Sequence, residues 1–228
     1  MREIQIIGHI HNSFGSKFGL PRQGGLADHV SVIDFLPAFR NADAFRGLEQ
    51  FSHIWVLWLF DQAKGGFSPT VRPPRLGGNR RMGVFATRSP NRPSPIGLSA
   101  LALEKIEFDP VRGPLLYVIG ADAASGTPVL DIKPYLPFAD SIPTAGGGFA
   151  TQKKDYALTV EMEKSFADKL SDAQYHVICQ LLSQDPRPAY QTDASRVYGF
   201  EYDGNEISFR VEDMRAIVVD IRPKGENA

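Results

Sequence analysis

Residues 52–60, Ser-His-Ile-Trp-Val-Leu-Trp-Leu-Phe, contain the longest strictly apolar run of the chain, Ile54 to Phe60. The run reads as a β-strand, and a strand apolar on both faces belongs at the centre of a sheet. Its first imidazole, His53, reads as a satisfied core histidine. It stops at Asp61-Gln62, which sets two polar groups at the rim of a buried sheet, where barrels and sandwiches carry their binding residues.

On the N-terminal side, residues 4–10 alternate as a strand before the turn signals His11-Asn12-Ser13 and Gly15. His9 and His11 share one face of it, but no third ligand follows at a recognisable spacing, so no metal site is expected. Pro21-Arg22-Gln23 sits in a loop fixed by proline and released by glycine, either a plain connection or a ligand clamp. Residues 30–36 alternate again, and residues 38–47 leave room for a short helical turn.

On the C-terminal side, residues 98–106 and 115–120 read as strands joined through Asp109-Pro110 and Gly113-Pro114. A loop of small residues, 120–128, follows, with Asp122 its only charge. It feeds a strand at residues 129–132 and a turn at Lys133-Pro134-Tyr135. Short strands at regular spacing with proline and glycine corners predict a mainly β protein, an antiparallel barrel over residues 1–140.

Between the central strand and residue 101 lies VRPPRLGGNRRMGVFATRSPNRPSPIGLSAL, residues 71–101, with six arginines and no acid. The formal net charge of the 228 residues is only -1, so the rest of the chain is distinctly acidic. Guanidinium forks on a proline-braced, glycine-rich frame suit planar anions, carboxylate or phosphate. The flanking segments 83–86 and 96–103 look buried, which would mount the cluster on core structure.

Residues 141–154, with Pro143 and Gly146-Gly147-Gly148, read as a linker. Beyond it, residues 155–228 predict a small α+β unit: a strand at 156–162, then a helix opened by the capping pattern Ser171-Asp172-Ala173-Gln174 and stopped by Asp185-Pro186. A hairpin follows at 197–211 around Asp203-Gly204-Asn205, and a last strand at 216–221. So small a unit needs to dock on the barrel.

The composition is ordinary, with 43% hydrophobic residues and Cys179 as the single cysteine, which excludes disulfide frameworks and four-thiolate zinc sites and suits a reducing compartment. No run reaches the roughly 18 apolar residues of a membrane span, and the N-terminus lacks a signal-peptide core, so a cytoplasmic protein is expected. A phosphate-binding Walker loop, a dinucleotide Gly-x-Gly-x-x-Gly turn, a His-Glu-x-x-His pair and a Gly-x-Ser-x-Gly elbow are all missing. What remains is an arginine-lined concavity, a small loop with one carboxylate, and a rim with Gln23, Asp61 and Gln62.

Five blocks carry a resemblance: Pro21-Arg22-Gln23, residues 72–78 (RPPRLGG), 83–89 (GVFATRS), 92–99 (RPSPIGLS) and 126–135 (GTPVLDIKPY). Together, in this order, they resemble the signature blocks of the TrmO family, and DPRPAY at 185–190 resembles a C-terminal element of its longer members. The resemblance implies an S-adenosylmethionine-dependent tRNA methyltransferase built on a β-barrel and acting as a homodimer. Its substrate would be the adenosine 3′ of the anticodon that carries an N6-threonylcarbamoyl group, and the product its N6-methyl derivative. Pro21, Arg22, Gln23, Asp61, Gln62, Arg88, Leu98, Gly120, Ala121 and Asp122 are the positions it implies for the cofactor. Arg72, Arg75, Arg80, Arg81, Arg92 and Arg187 would meet the tRNA anticodon stem-loop. Asp131 and Asp61 are candidates for the general base, although turn-capping carboxylates explain them as well. Ser94 stands where the family usually has Asn, and Ala123-Ala124-Ser125 replaces a more apolar and acidic loop. The competing class is a non-catalytic barrel that binds RNA or senses S-adenosylmethionine. Only Phe85 is aromatic between Arg72 and Ser99, fewer than the stacking strips of ordinary single-strand binders, which favours a small-ligand pocket with RNA at its lip.

Overall fold

The computed structural model describes residues 3–14, 16–63, 65–73, 80–151, 155–187, 191 and 193–225. Strands β1 (Gly8–His11), β2 (Val30–Phe35), β3 (His53–Leu59), β6 (Ile96–Asp109), β7 (Gly113–Ile119) and β8 (Pro128–Pro134) close into an antiparallel barrel in the order β1-β2-β7-β6-β3-β8. The ring closes where Gly8 and His9 of β1 pair with Val129 and Pro128 of β8. Two short strands, β4 (Thr70–Val71) and β5 (Met82–Gly83), form a ribbon within the arginine-rich stretch.

The central run is indeed a strand with partners on both edges, β6 and β8. Only one of its faces is core: Ile54, Val56 and Trp58 are buried inside the barrel, whereas Trp55 and Leu57 are half-buried on the outer wall. Barrel closure explains the difference, because every strand has two edges paired and still keeps one face outside. His53 is exposed, not core, and its Nδ1 lies 2.9 Å from Ser52 Oγ. In the segment 83–86, Gly83 ends β5 and Val84–Ala86 is a 3-10 turn in which Val84 alone is buried, and Phe85 is 74% exposed. The expected turn at Lys133-Pro134 is the end of β8.

After the short helices α1 (Pro137–Asp140) and α2 (Gly148–Thr151), strand β9 (Thr159–Glu161), helix α3 (Lys164–Ala167) and helix α4 (Asp172–Ser183) lead into β10 (Tyr198–Tyr202), β11 (Asn205–Glu212) and β12 (Arg215–Pro223). The sheet order is β10-β11-β12-β9, with β9 parallel to β12. Ser171 and Gln174 close a complete capping box on α4. The β10–β11 turn places Asp203 and Gly204 at φ 49 and 75, the primed geometry that matches strand twist.

This unit packs on the barrel through residues that the barrel lends to it. Phe14, Ala27, Phe18 and Leu20 belong to the second core, and Phe14 stacks edge-on to His29 at 4.7 Å. His29 is 1% exposed, and neither ring nitrogen has a hydrogen-bond partner among the described residues. Desolvation therefore pulls its pKa from 6.5 to about 4; main-chain groups of Ala121 and Ala27, near the ring without closing a well-formed bond, and the Asp28 carboxylate oppose it.

Because the folded pKa lies below the unfolded one, the unfolded chain binds a proton between pH 6.5 and 4 that the folded chain refuses. Stability should fall through that window as pH falls, by roughly 3 kcal/mol for this group. Urea midpoints of the wild type and His29→Phe at pH 7 and pH 4.5 check this: the variant should lose much less.

Candidate functional site

The end of the barrel at which β3 leaves the sheet is open. There, Leu59 runs into Phe60-Asp61-Gln62, and with Leu20, Pro90 and Asp122 these residues line a cleft of about 210 Å³. Its floor is Trp58, the last inward side chain of β3, packed edge-on to Phe60 at 4.3 Å. The indole lies flat on β6 because Gly97 stands opposite it in register; a Cβ there would come within 2.3 Å of Trp58 Cε2.

A polar chain runs from this floor to the cleft's carboxylate. Trp58 Nε1 donates to Ser99 Oγ at 3.0 Å, and Ser99 Oγ donates to Asp122 Oδ1. Gly24 packs against Ser99, where an added Cβ would come within 3.2 Å of Ser99 Cβ. Burial pushes the Asp122 carboxyl above its ordinary value; the Ser99 hydroxyl, main-chain donors and the Arg88 charge pull the other way. Asp122 is therefore a half-buried carboxyl with Ser99 already bonded to it. Gly120, at φ 88, makes the turn possible, since a Cβ there would meet Gly25 Cα at 2.9 Å.

Several of the residues expected at the site meet. Arg88 Nη1 donates to Gln23 Oε1, and Gln23 Nε2 to the Arg22 carbonyl. Gly24, next in the chain, packs on Ser99, the partner of Asp122, and Ala121, beside Asp122 in the chain, is buried. Asp61 and Gln62 are exposed at the cleft, where Lys17 Nζ donates to the Gln62 carbonyl at 3.2 Å. Pro21 is buried. The Arg22 guanidinium extends away from Gln23 onto main-chain carbonyls of residues 185 and 187.

Others are not brought there. Leu98 and Asp131 both pair with Leu57, so they share the outer wall of the barrel and not its end. Asp131 accepts the Ile132 amide at 2.9 Å and pairs with Lys133 at 2.7 Å. Arg92 turns back onto the carbonyls of Thr87 and Ser89, and Arg81 donates to Thr70 Oγ1 at 3.1 Å. Arg72 and Arg80 are exposed, Arg187 is paired with Asp185 at 2.9 Å, and Arg75 lies outside the described residues. No cluster of three metal-ligating side chains occurs among the described residues, and none of the helices there is long and apolar enough to cross a membrane.

Trp58, Ser99 and Gly24 were not anticipated as parts of the site. The alternation of β3 held the signal for Trp58, since a large aromatic at its last inward position faces Gly97 across one ladder step. Ser99 carried no comparable mark, because a serine on a strand is most often neutral.

The chain matches the model of the tRNA-methyltransferase O N-terminal domain over residues 9–141 and that of the TrmO C-terminal domain over residues 155–224. A tRNA (adenine(37)-N6)-methyltransferase of Escherichia coli (strain K12) is 40% identical over 233 residues, 97% of this chain and 98% of that one. One from Eikenella corrodens is 51% identical over 174 residues, 74% and 95% of the two chains. The crystal structure of TrmO from Pseudomonas aeruginosa superposes with a TM-score of 0.79 at 34% identity, over 98% of this chain and 97% of that one. Both units of the chain thus match models of one family, and the chain belongs to the TrmO family of tRNA methyltransferases.

Proposed function

We propose that the chain is an S-adenosylmethionine-dependent tRNA methyltransferase that adds a methyl group to N6 of threonylcarbamoyl-adenosine beside the anticodon. The observation that carries it is the half-buried Asp122 carboxylate, held by Ser99, in a cleft whose walls are mostly apolar. Such a carboxylate suits a ribose diol, while Leu20, Trp58, Phe60 and Pro90 suit a flat nucleoside and exclude water. Gly24 and Gly120 keep the main chain close around it. These features fit S-adenosylmethionine, with Asp122, Gln23, Arg88, Asp61 and Gln62 as the residues that would hold it. When bound, it supplies a methyl group on a sulfonium, an electrophile that needs alignment with N6 more than chemical assistance.

The N6 of a carbamoylated adenine must lose its proton to attack. Asp61, exposed at the rim, is available to take it; Asp131 is engaged by Lys133 and its own main chain, so we assign the step to Asp61. Arg72 and Arg80 stand exposed for anticodon-loop phosphates, and exposed Phe85 offers a stacking face among them. The outer wall carries exposed Leu98, and Phe138 and Ile142 nearby in sequence to β8 are exposed as well; such a surface suits a homodimer. Residues 1–140 would form the cofactor-binding domain and residues 155–228 a second one, in a cytoplasmic enzyme.

The test is incubation with methyl-labelled S-adenosylmethionine and tRNA transcripts bearing or lacking the threonylcarbamoyl group. Label is expected on the modified transcript alone. Cofactor binding without transfer to any tRNA would instead support a sensor.

A further inference from the structure

Helix α4 turns a polar stripe, His176, Gln180 and Gln184, toward one short segment of the barrel, residues 22–28. Gln184 grips it twice: its Oε1 accepts the Arg22 amide at 3.4 Å, and its Nε2 donates to the Leu26 carbonyl at 3.0 Å. Gln180 Oε1 accepts the Asp28 amide at 2.8 Å, and its Nε2 donates to the Asp28 carboxylate at 2.6 Å, where His176 Nε2 also lies at 3.1 Å. The spacing of four residues puts all three on one helix face, as the geometry of a helix requires.

Just past α4 the grip continues. The Arg22 guanidinium donates to the Asp185 carbonyl and, at 3.2 Å, to that of Arg187. Asp185 has φ 54, the left-handed position that ends many helices and that glycine fills with least strain. An aspartate there carries backbone strain that a glycine would not, and its carboxylate is buried besides. That carboxylate is held by Tyr156 Oη at 2.7 Å and Arg187 Nε at 2.9 Å. A helix end needs none of this. What the arrangement achieves is to fix two carbonyls within reach of Arg22.

The same segment meets the cleft on its other side. Gln23 accepts from Arg88, Gly24 packs on Ser99, the partner of Asp122, and the Gly25 amide donates to the Gly120 carbonyl at 2.8 Å. It is thus strung between the second unit and the cleft. Simple adhesion between the two units does not explain the polar stripe, because Phe14, Phe18 and Leu20 already join the second core. A satisfied network of hydrogen bonds specifies conformation more than it adds stability.

We propose that α4 and the turn at residues 184–187 are a positioning device: through Gln184 and Asp185, the C-terminal unit sets the conformation in which residues 22–28 deliver Gln23 and Gly24 to the cleft. Gln184 and Asp185 are positioning residues, since neither lines the cleft. The consequence for ligand binding rests on the cofactor assignment above.

Two variants of the full chain test it. Gln184→Met keeps length and helix propensity while deleting both bonds to the segment. Asp185→Gly suits the left-handed turn and removes the carboxylate, so it keeps the fold if the first variant does not. Hydrogen exchange and calorimetric titration with S-adenosylmethionine are the readouts. The amides of Gly24 and Gly25 should exchange about tenfold faster, with barrel strands unchanged, and affinity should fall by about the same factor. Unchanged exchange in both variants overturns the proposal. Faster exchange with unchanged affinity overturns it too, because the stripe would then be adhesion only. A wild-type chain that binds no S-adenosylmethionine sinks the cofactor assignment instead, and the exchange rates then decide the positioning by themselves.

Discussion

Asp122→Asn should weaken S-adenosylmethionine binding by about 10–100-fold, the range for losing charge-assisted hydrogen bonds in a site that excludes water. The amide matches the carboxylate in shape, and its oxygen can still accept from Ser99, so the loop at residues 120–127 keeps its course. It cannot offer two acceptors to a diol, and it turns an NH2 toward the ligand instead. Stability should move the other way. Burial raises the Asp122 carboxyl above its ordinary value, so at pH values between the unfolded and the folded pKa the folded chain holds a proton that the unfolded chain has released. The group's contribution to stability is thus present below the unfolded pKa and lost as pH rises through the folded one. At neutral pH the wild type bears that loss, and the asparagine variant is relieved of it. Calorimetric titration and a thermal midpoint at pH 7 check both halves: affinity should drop while the midpoint holds or rises. A variant that binds like the wild type would remove Asp122 from the site. One that simply melts earlier would make the carboxylate structural.

The barrel was legible because its evidence is local. Alternation in β2, proline and glycine corners, and the run from Ile54 to Phe60 each mark a strand without knowledge of its partners. The sheet order is not local, and neither is the inside of β3: apolar Trp55 and Leu57 look like core until the barrel closes and leaves them on its outer wall. In the site, the arginine-rich stretch announced charge but not its direction. Arg92 is spent on its own loop carbonyls, and Arg22 on the turn after α4, bonds that join residues 163 and 165 positions apart and leave no trace in the sequence. Asp122 was legible as the lone charge of a small-residue loop. The Ser99 hydroxyl that orients it was not, since its role exists only once β6 and that loop are folded together.

Gly97→Ala should cost about 3 kcal/mol of stability, large for one methyl group. The added Cβ would lie 2.3 to 2.5 Å from three atoms of the Trp58 indole, far inside contact distance. A long flexible side chain could step aside, but an indole that is 6% exposed, hydrogen-bonded through Nε1 and packed edge-on to Phe60 has no free rotamer to take. Nor can the strand yield alone, because Gly97 pairs with Trp58 itself within an unbroken β3–β6 ladder. If this clash is the cause, Trp58→Phe should make room for the methyl group, and the double variant should be more stable than the two single losses predict by addition. Urea midpoints of the four proteins measure that coupling, and strict additivity would refute the contact. Ligand affinity should not recover with stability: phenylalanine has no N–H to donate to Ser99, so the hydroxyl that orients Asp122 loses its anchor in the double variant as in Trp58→Phe alone. Stability restored without affinity would separate the two uses of one indole, as a volume that fills the barrel's end and as a donor that holds the carboxylate's partner in place.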